Sequence, residues 1–148
     1  MPVLLLANLA ATLFMTGLIW FVQIVHYPLF AAVGAGEFRA YHADHSRRTT
    51  LVVLPVMLIE AATALLLPHW LPSGTPVTAA CSALLPLAVV WASTGLLQVP
   101  RHGQLGRGFD AASVRSLGAG NWLRTIAWSA RAALLLWITA TAASGGRT

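Results

Sequence analysis

From Val3 to Val25 the chain reads VLLLANLAATLFMTGLIWFVQIV, a predominantly apolar run without one charged side chain, closed by His26-Tyr27-Pro28. A helix needs about 20 such residues to cross a hydrocarbon core of about 30 Å. No basic segment precedes the run, and it outlasts the h-region of a secretory signal, so it reads as a retained transmembrane helix. Three further runs have the same character: Thr49 to Leu67, Val77 to Val99, and Trp122 to Ala142. Composition agrees. The chain is 57% hydrophobic and 9% charged, with a mean hydropathy of +0.73, too little polar surface for a soluble domain of this size. The expectation is an all-α fold: an integral membrane, antiparallel four-transmembrane-helix bundle. It forms one domain over residues 1–148, with spans at about 3–25, 49–67, 77–99 and 122–142.

Pro68, Pro72, Ser73, Gly74 and Pro76 predict a tight link between spans two and three. The other two connections, 26–48 and 100–121, are longer and polar. Spans one and three therefore end, and spans two and four begin, at one surface. Arg39, Arg47, Arg48, Arg101, Arg107, Arg115 and Arg124 fall there, and only Arg147 falls at the other. The positive-inside rule makes the arginine-rich surface cytoplasmic and sends both termini outward, as expected for a multi-pass protein of the bacterial inner membrane. The arginines flank apolar spans and make no basic face on a soluble module, which argues against a nucleic-acid partner. Cys81 has no second cysteine to pair with, so no disulfide framework exists.

Four of the five histidines, His26, His42, His45 and His102, fall at that same surface. Imidazole is the commonest metal ligand and the side chain that titrates nearest neutrality. His42 and His45 share a helical face at i and i+3, and with His26 and His102 form a candidate metal set, with Glu37 or Asp44 as further donors. His26 follows Gln23, and His102 follows Gln98, at the ends of their spans. His26, His102 and His45 are the favoured ligands, and His42 the least certain. The competing reading is a solvated interfacial segment whose histidines and arginines meet lipid headgroups.

Each span also carries polar residues at helical spacing. Such a stripe turns toward protein or water in a bilayer. Asn8 and the threonines are read as hydrogen-bonding glue between helices. At ~1.5 Å per residue, Glu60 lies about 18 Å beyond Arg48 and Arg131 about 15 Å beyond Asn121, so both sit near mid-membrane at similar depth. Two readings stay open: a structural ion pair, or a deep acid/base at Glu60 tuned by Arg131.

The stretch Thr16-Gly17-Leu18-Ile19-Trp20 with Gln23-x-x-His26-Tyr27-Pro28, then Phe38-x-x-Tyr41-His42-x-x-His45, resembles a group of small bacterial four-helix membrane proteins. More distantly, Val99-Pro100-Arg101-His102-Gly103-Gln104-Leu105 with Asn121-Trp122-x-Arg124-Thr125-x-x-Trp128-x-x-Arg131 resembles the anthrone oxygenase-like membrane family, with His102 where that family's motif has an Asn. The resemblance implies a membrane-embedded oxidoreductase or oxygenase acting on a lipophilic aromatic or quinone-like substrate. His26, His42, His45 and His102 would then be metal or proton-transfer ligands, and Glu60, Arg124 and Arg131 the catalytic acid/base and oxyanion groups. Gln23, Gln98, Trp91 and Trp128 would line the cofactor or substrate site, with Trp20 and Trp122 as further flat walls or interfacial anchors. The implied cofactor is a transition metal ion (iron, copper or zinc) or a haem. The partners are the bilayer, a lipophilic small molecule, and a second copy or another membrane subunit. A haem-binding electron-transfer protein and a non-catalytic accessory subunit, packing through Ala7, Ala10, Ala11 and Gly17, remain as alternatives.

Overall fold

The computed structural model describes residues 3–71 and 75–145. Pro72, Ser73 and Gly74 of the expected tight link, and Arg147, lie outside them. The described chain is all-helical. Its four helices, α1 (Val3–Phe30), α2 (Phe38–His69), α3 (Val77–Leu105) and α4 (Ala111–Gly145), are each long and apolar enough to cross a membrane. Every helix contains its expected span and all four run past it on the arginine-rich side, α2 and α4 farthest. The connections shrink to 31–37 and 106–110, because no proline lies between Phe38 and Arg48 or between Ala111 and Asn121, and Gly118 and Gly120 are accommodated within α4. On α2 this extension is fastened by Asp44, which accepts from Arg47 at 2.8 Å and Arg48 at 2.6 Å. Gly108 takes φ +148° in the second connection, a conformation that favours glycine. Asp110 then caps α4 by accepting the Ser113 N–H at 2.7 Å. Hydrogen bonding from the Ser113 side chain, and then from its N–H, holds the Asp110 carboxyl below its ordinary pKa.

Three apolar layers stack along the bundle. Leu5, Leu67, Ala79, Ala83, Leu135 and Ile138 form one end. Met15, Ile19, Met57, Val90, Ala127 and Trp128 form the middle. Tyr27, Phe30, Phe38, Leu105, Val114 and Leu117 close the end bearing the histidines. The outward faces are apolar too: Leu6, Phe14, Leu51, Leu58, Leu96 and Ile126 are all exposed. Helix α1 packs on α2 and α4, and α3 on α4, while α2 and α3 barely touch. A gap is left between them.

Between the first two layers a buried polar network ties all four helices. Arg131 donates from Nε to Glu60 Oε1 at 3.0 Å and from Nη2 to Asn8 Oδ1 at 3.0 Å, and from Nη1 to the Ala83 carbonyl. Glu60 also accepts from Thr12 at 2.6 Å and from the Trp128 indole at 3.0 Å. Asn8 Nδ2 donates to the Glu60 carbonyl and to Thr63. The pairing anticipated from depth alone is thus made, and within a saturated set of donors and acceptors. Association of helices in lipid gains little from apolar burial, so such a network carries much of the specificity of packing.

Two π-helical turns interrupt the helices beside the histidine layer: Val22–His26 in α1 and Thr94–Gln98 in α3. Each ends two residues before a proline, Pro28 or Pro100. Proline supplies no N–H to the carbonyl four residues earlier, and its ring crowds that carbonyl, so the preceding turn widens.

Candidate functional site

The histidine layer assembles from three helices. His26, at the end of the α1 π turn, places Nε2 2.8 Å from His45 Nδ1 on α2. His42, one turn before His45, places Nε2 3.0 Å from His102 Nδ1 on α3. The ring centroids of the two pairs are 4.4 Å and 5.2 Å apart, and His45 and His102 bring the pairs together at 5.9 Å. All four histidines singled out in the sequence therefore meet, including His42. It is the most enclosed of them, 3% exposed, stacked on Phe38. Phe30 stands edge-on to His26 and His45.

An imidazole–imidazole hydrogen bond needs a lone pair on one ring, so each pair contains at least one neutral imidazole. One pair extends into a short chain of exchangeable protons: Tyr27 Oη lies 3.2 Å from His102 Nε2, and the other His102 nitrogen meets His42, giving Tyr27–His102–His42. Thr49 Oγ1 lies 3.2 Å from His45 Nδ1, the same nitrogen that His26 meets, so Thr49 and His26 share one atom and form no relay through the ring. Asp44 and Glu37 stay out of this layer, Asp44 being committed to its arginines on the surface. Among the described residues no three His, Cys, Asp or Glu side chains are grouped as a metal ion requires. The arrangement is two pairs. A haem between the members of either pair would require the rings to part.

Below the histidines the gap between α2 and α3 opens into a cavity of about 320 Å³. Its walls are apolar, with Met15, Ile19 and Val22 from α1 and Val53, Leu54 and Met57 from α2. Its polar end gathers Tyr27, His45, Thr49, Gln98, His102 and Arg124. Convergent polar groups at one end of an apolar pocket are the usual form of a small-molecule site. Gln98 closes the α3 π turn and is 2% exposed, yet neither its Oε1 nor its Nε2 has a hydrogen-bond partner. Arg124, also buried, has its guanidinium carbon 5.2 Å from the centre of the Trp128 ring and its Nε unpartnered.

The other expected site residues lie elsewhere. Gln23 accepts from Asn121 at 2.9 Å and donates to the Gly118 carbonyl at 3.3 Å, away from the cavity. Glu60 and Arg131 sit in the saturated network deeper in the bundle, with no face on the cavity. None of Trp20, Trp91, Trp122 and Trp128 lines it. Trp20 meets Trp122 edge to face at 5.7 Å on the outer surface, Trp91 is also at the surface, and Trp128 serves Glu60 from the core. Tyr27 and Thr49 are the site residues that the sequence reading places only in the polar stripes, Thr49 as glue between helices. Their positions, next to His26 and one turn after His45, were the available signal. Comparison with protein-family models, curated proteins and solved structures finds no match for this chain.

Proposed function

We propose that the chain is an oxidoreductase of the bacterial plasma membrane that admits a lipophilic, quinone-like molecule from the bilayer into the cavity between α2 and α3. The observation that carries this reading is the position of the four imidazoles, directly over the polar end of a pocket whose walls are apolar. The bundle would be antiparallel, with the histidine and arginine end in the cytoplasm and both termini outside, as arginine placement supports. The resemblance to small four-helix membrane proteins points the same way.

Oxidation of a quinol releases two protons and two electrons. His102, which Tyr27 and His42 flank, and His45 would accept the protons at the polar end. The two electrons would leave one at a time through a copper or iron ion, which imidazole donors suit, to dioxygen as the terminal acceptor, reduced to hydrogen peroxide with the two released protons. His42 with His102, or His26 with His45, would hold such an ion once the two rings turn their lone pairs from each other toward it, because a hydrogen-bonded pair directs them along the N–N line. The test is metal analysis, an optical spectrum and alkyl hydroquinone oxidation on protein in lipid nanodiscs. Near-stoichiometric copper or iron, lost in His26→Ala/His102→Ala, which breaks both pairs, with hydroquinone oxidation by the loaded protein, is expected. Folded wild-type protein that takes up neither metal and leaves hydroquinone unchanged would sink the reading.

A further inference from the structure

We infer that the cavity selects a neutral head group carrying a hydroxyl, as in a phenol or quinol, and that Gln98 is the residue that reads it. The inference rests on the cavity being a ligand site, as proposed above, but not on any electron transfer. Its basis is hydrogen-bond accounting. Gln98 is among the residues that line the cavity, is 2% exposed and has neither carboxamide atom paired, with its Nε2 on the Gly120 side near the Arg101 guanidinium, whose Nη1 is also unpaired. Arg124 borders the same cavity with an unpaired Nε–H. A buried polar atom left without a partner is costly, and a native site that keeps several is shaped for groups that supply them. Here the missing partners are of both kinds. Gln98 Oε1 needs a donor, whereas Gln98 Nε2 and Arg124 Nε need acceptors.

Head groups divide on that requirement. A carboxylate or phosphate offers acceptors only: it would satisfy Arg124 and leave Gln98 Oε1 facing oxygen lone pairs. A quinone carbonyl or an ether fails at Oε1 in the same way. A phenolic hydroxyl donates to Oε1 while its lone pairs accept from Nε2 or Arg124 Nε, so one oxygen closes several vacancies. Charge alone would favour the anion, because Arg124 is cationic. The amide decides against it, since a site built around Arg124 for an anion gains nothing from an unpaired acceptor. For a redox couple the consequence is a site that holds the reduced, hydroxyl-bearing member more tightly than the oxidised one.

The test uses redox-inert probes on the full chain in nanodiscs: a 4-alkylphenol, its methyl ether, and a fatty acid carboxylate of equal tail length, each measured by partition against empty nanodiscs. The phenol is expected to bind about tenfold tighter than the ether, the ratio that one well-made hydrogen bond supplies, and tighter than the carboxylate. Gln98→Leu is expected to level phenol and ether, and Gln98→Asn to keep their order at weaker affinity. The wild-type ranking stands as the test even where a variant does not fold. Equal binding of phenol and ether, a carboxylate that binds tightest, or no binding by any probe overturns the inference. Phenol selectivity without metal uptake or hydroquinone oxidation would overturn the proposed activity and leave this inference standing.

Discussion

Glu60 and Arg131 show how much of a helix bundle's design one pair of residues can hold. Each is fully buried, and between them they engage Asn8, Thr12, Ala83 and Trp128. Removing one charge leaves the other buried and unpaired, at a cost of ~3–5 kcal/mol, whereas removing both spares that penalty. Glu60→Leu and Arg131→Leu are therefore each expected to lower the thermal midpoint of detergent-solubilised protein sharply. Glu60→Leu/Arg131→Leu is expected to lose less than the sum of the two. A strictly additive double variant would show that the ion pair contributes nothing as a pair. The depth of both residues and their pairing were legible by counting along the spans. Their partners were less so: Thr12 and Asn8 were marked as glue, but the assignment of Trp128 to Glu60 depends on which face of α4 turns inward, and that is settled by packing.

At the scale of the element, the π turns explain why helical periodicity located the histidines but not the lining of the site. A π turn carries one extra residue, and each residue of an α-helix turns by about 100°, so everything after it is rotated against a straight 3.6-residue count. Gln23 and Gln98 look equivalent in sequence. In the fold Gln23 is spent on Asn121 and Gly118 while Gln98 borders the cavity. The prolines at 28 and 100 were the visible cue, since each withdraws an N–H from the turn before it. Deleting Gly95, inside the α3 π turn, should let an ordinary α turn close with His102 still facing His42 and Tyr27. Deleting Ala88, in the regular part of α3, should rotate the rest of the helix and separate them. The first deletion is expected to give monodisperse protein that still binds alkylphenol, and the second to lose binding or fold; indistinguishable behaviour of the two would remove the π turn from its role in setting the site. The extension of α2 past its apolar span was harder to see, because Phe38 to Arg48 is helical through local pairing of Asp44 with Arg47 and Arg48, in a stretch whose polarity reads equally well as a loop.

For the whole molecule, the expectation that four apolar runs alternate in direction put residues scattered from His26 to His102 at one end, and the structure brings their rings together there. The open side between α2 and α3 was not legible, since it depends on which helices pack and which do not. The proposed orientation across the bilayer rests on charge: Arg39, Arg47, Arg48, Arg101, Arg107 and Arg115 lie at the histidine end, in the two short connections or the helix ends beside them, and the positive-inside rule assigns flanks of that kind to the cytoplasm. In a Cys81→Ser background, a cysteine replacing Arg107 is expected to react with a membrane-impermeant maleimide only from the cytoplasmic side, and one replacing Ser144, near the end of α4, only from outside. Reversed labelling would turn the bundle over and place the imidazole layer at the external face. Labelling of both from one side would contradict the up-down crossing itself, because Arg107 and Ser144 lie on either side of the apolar length of α4.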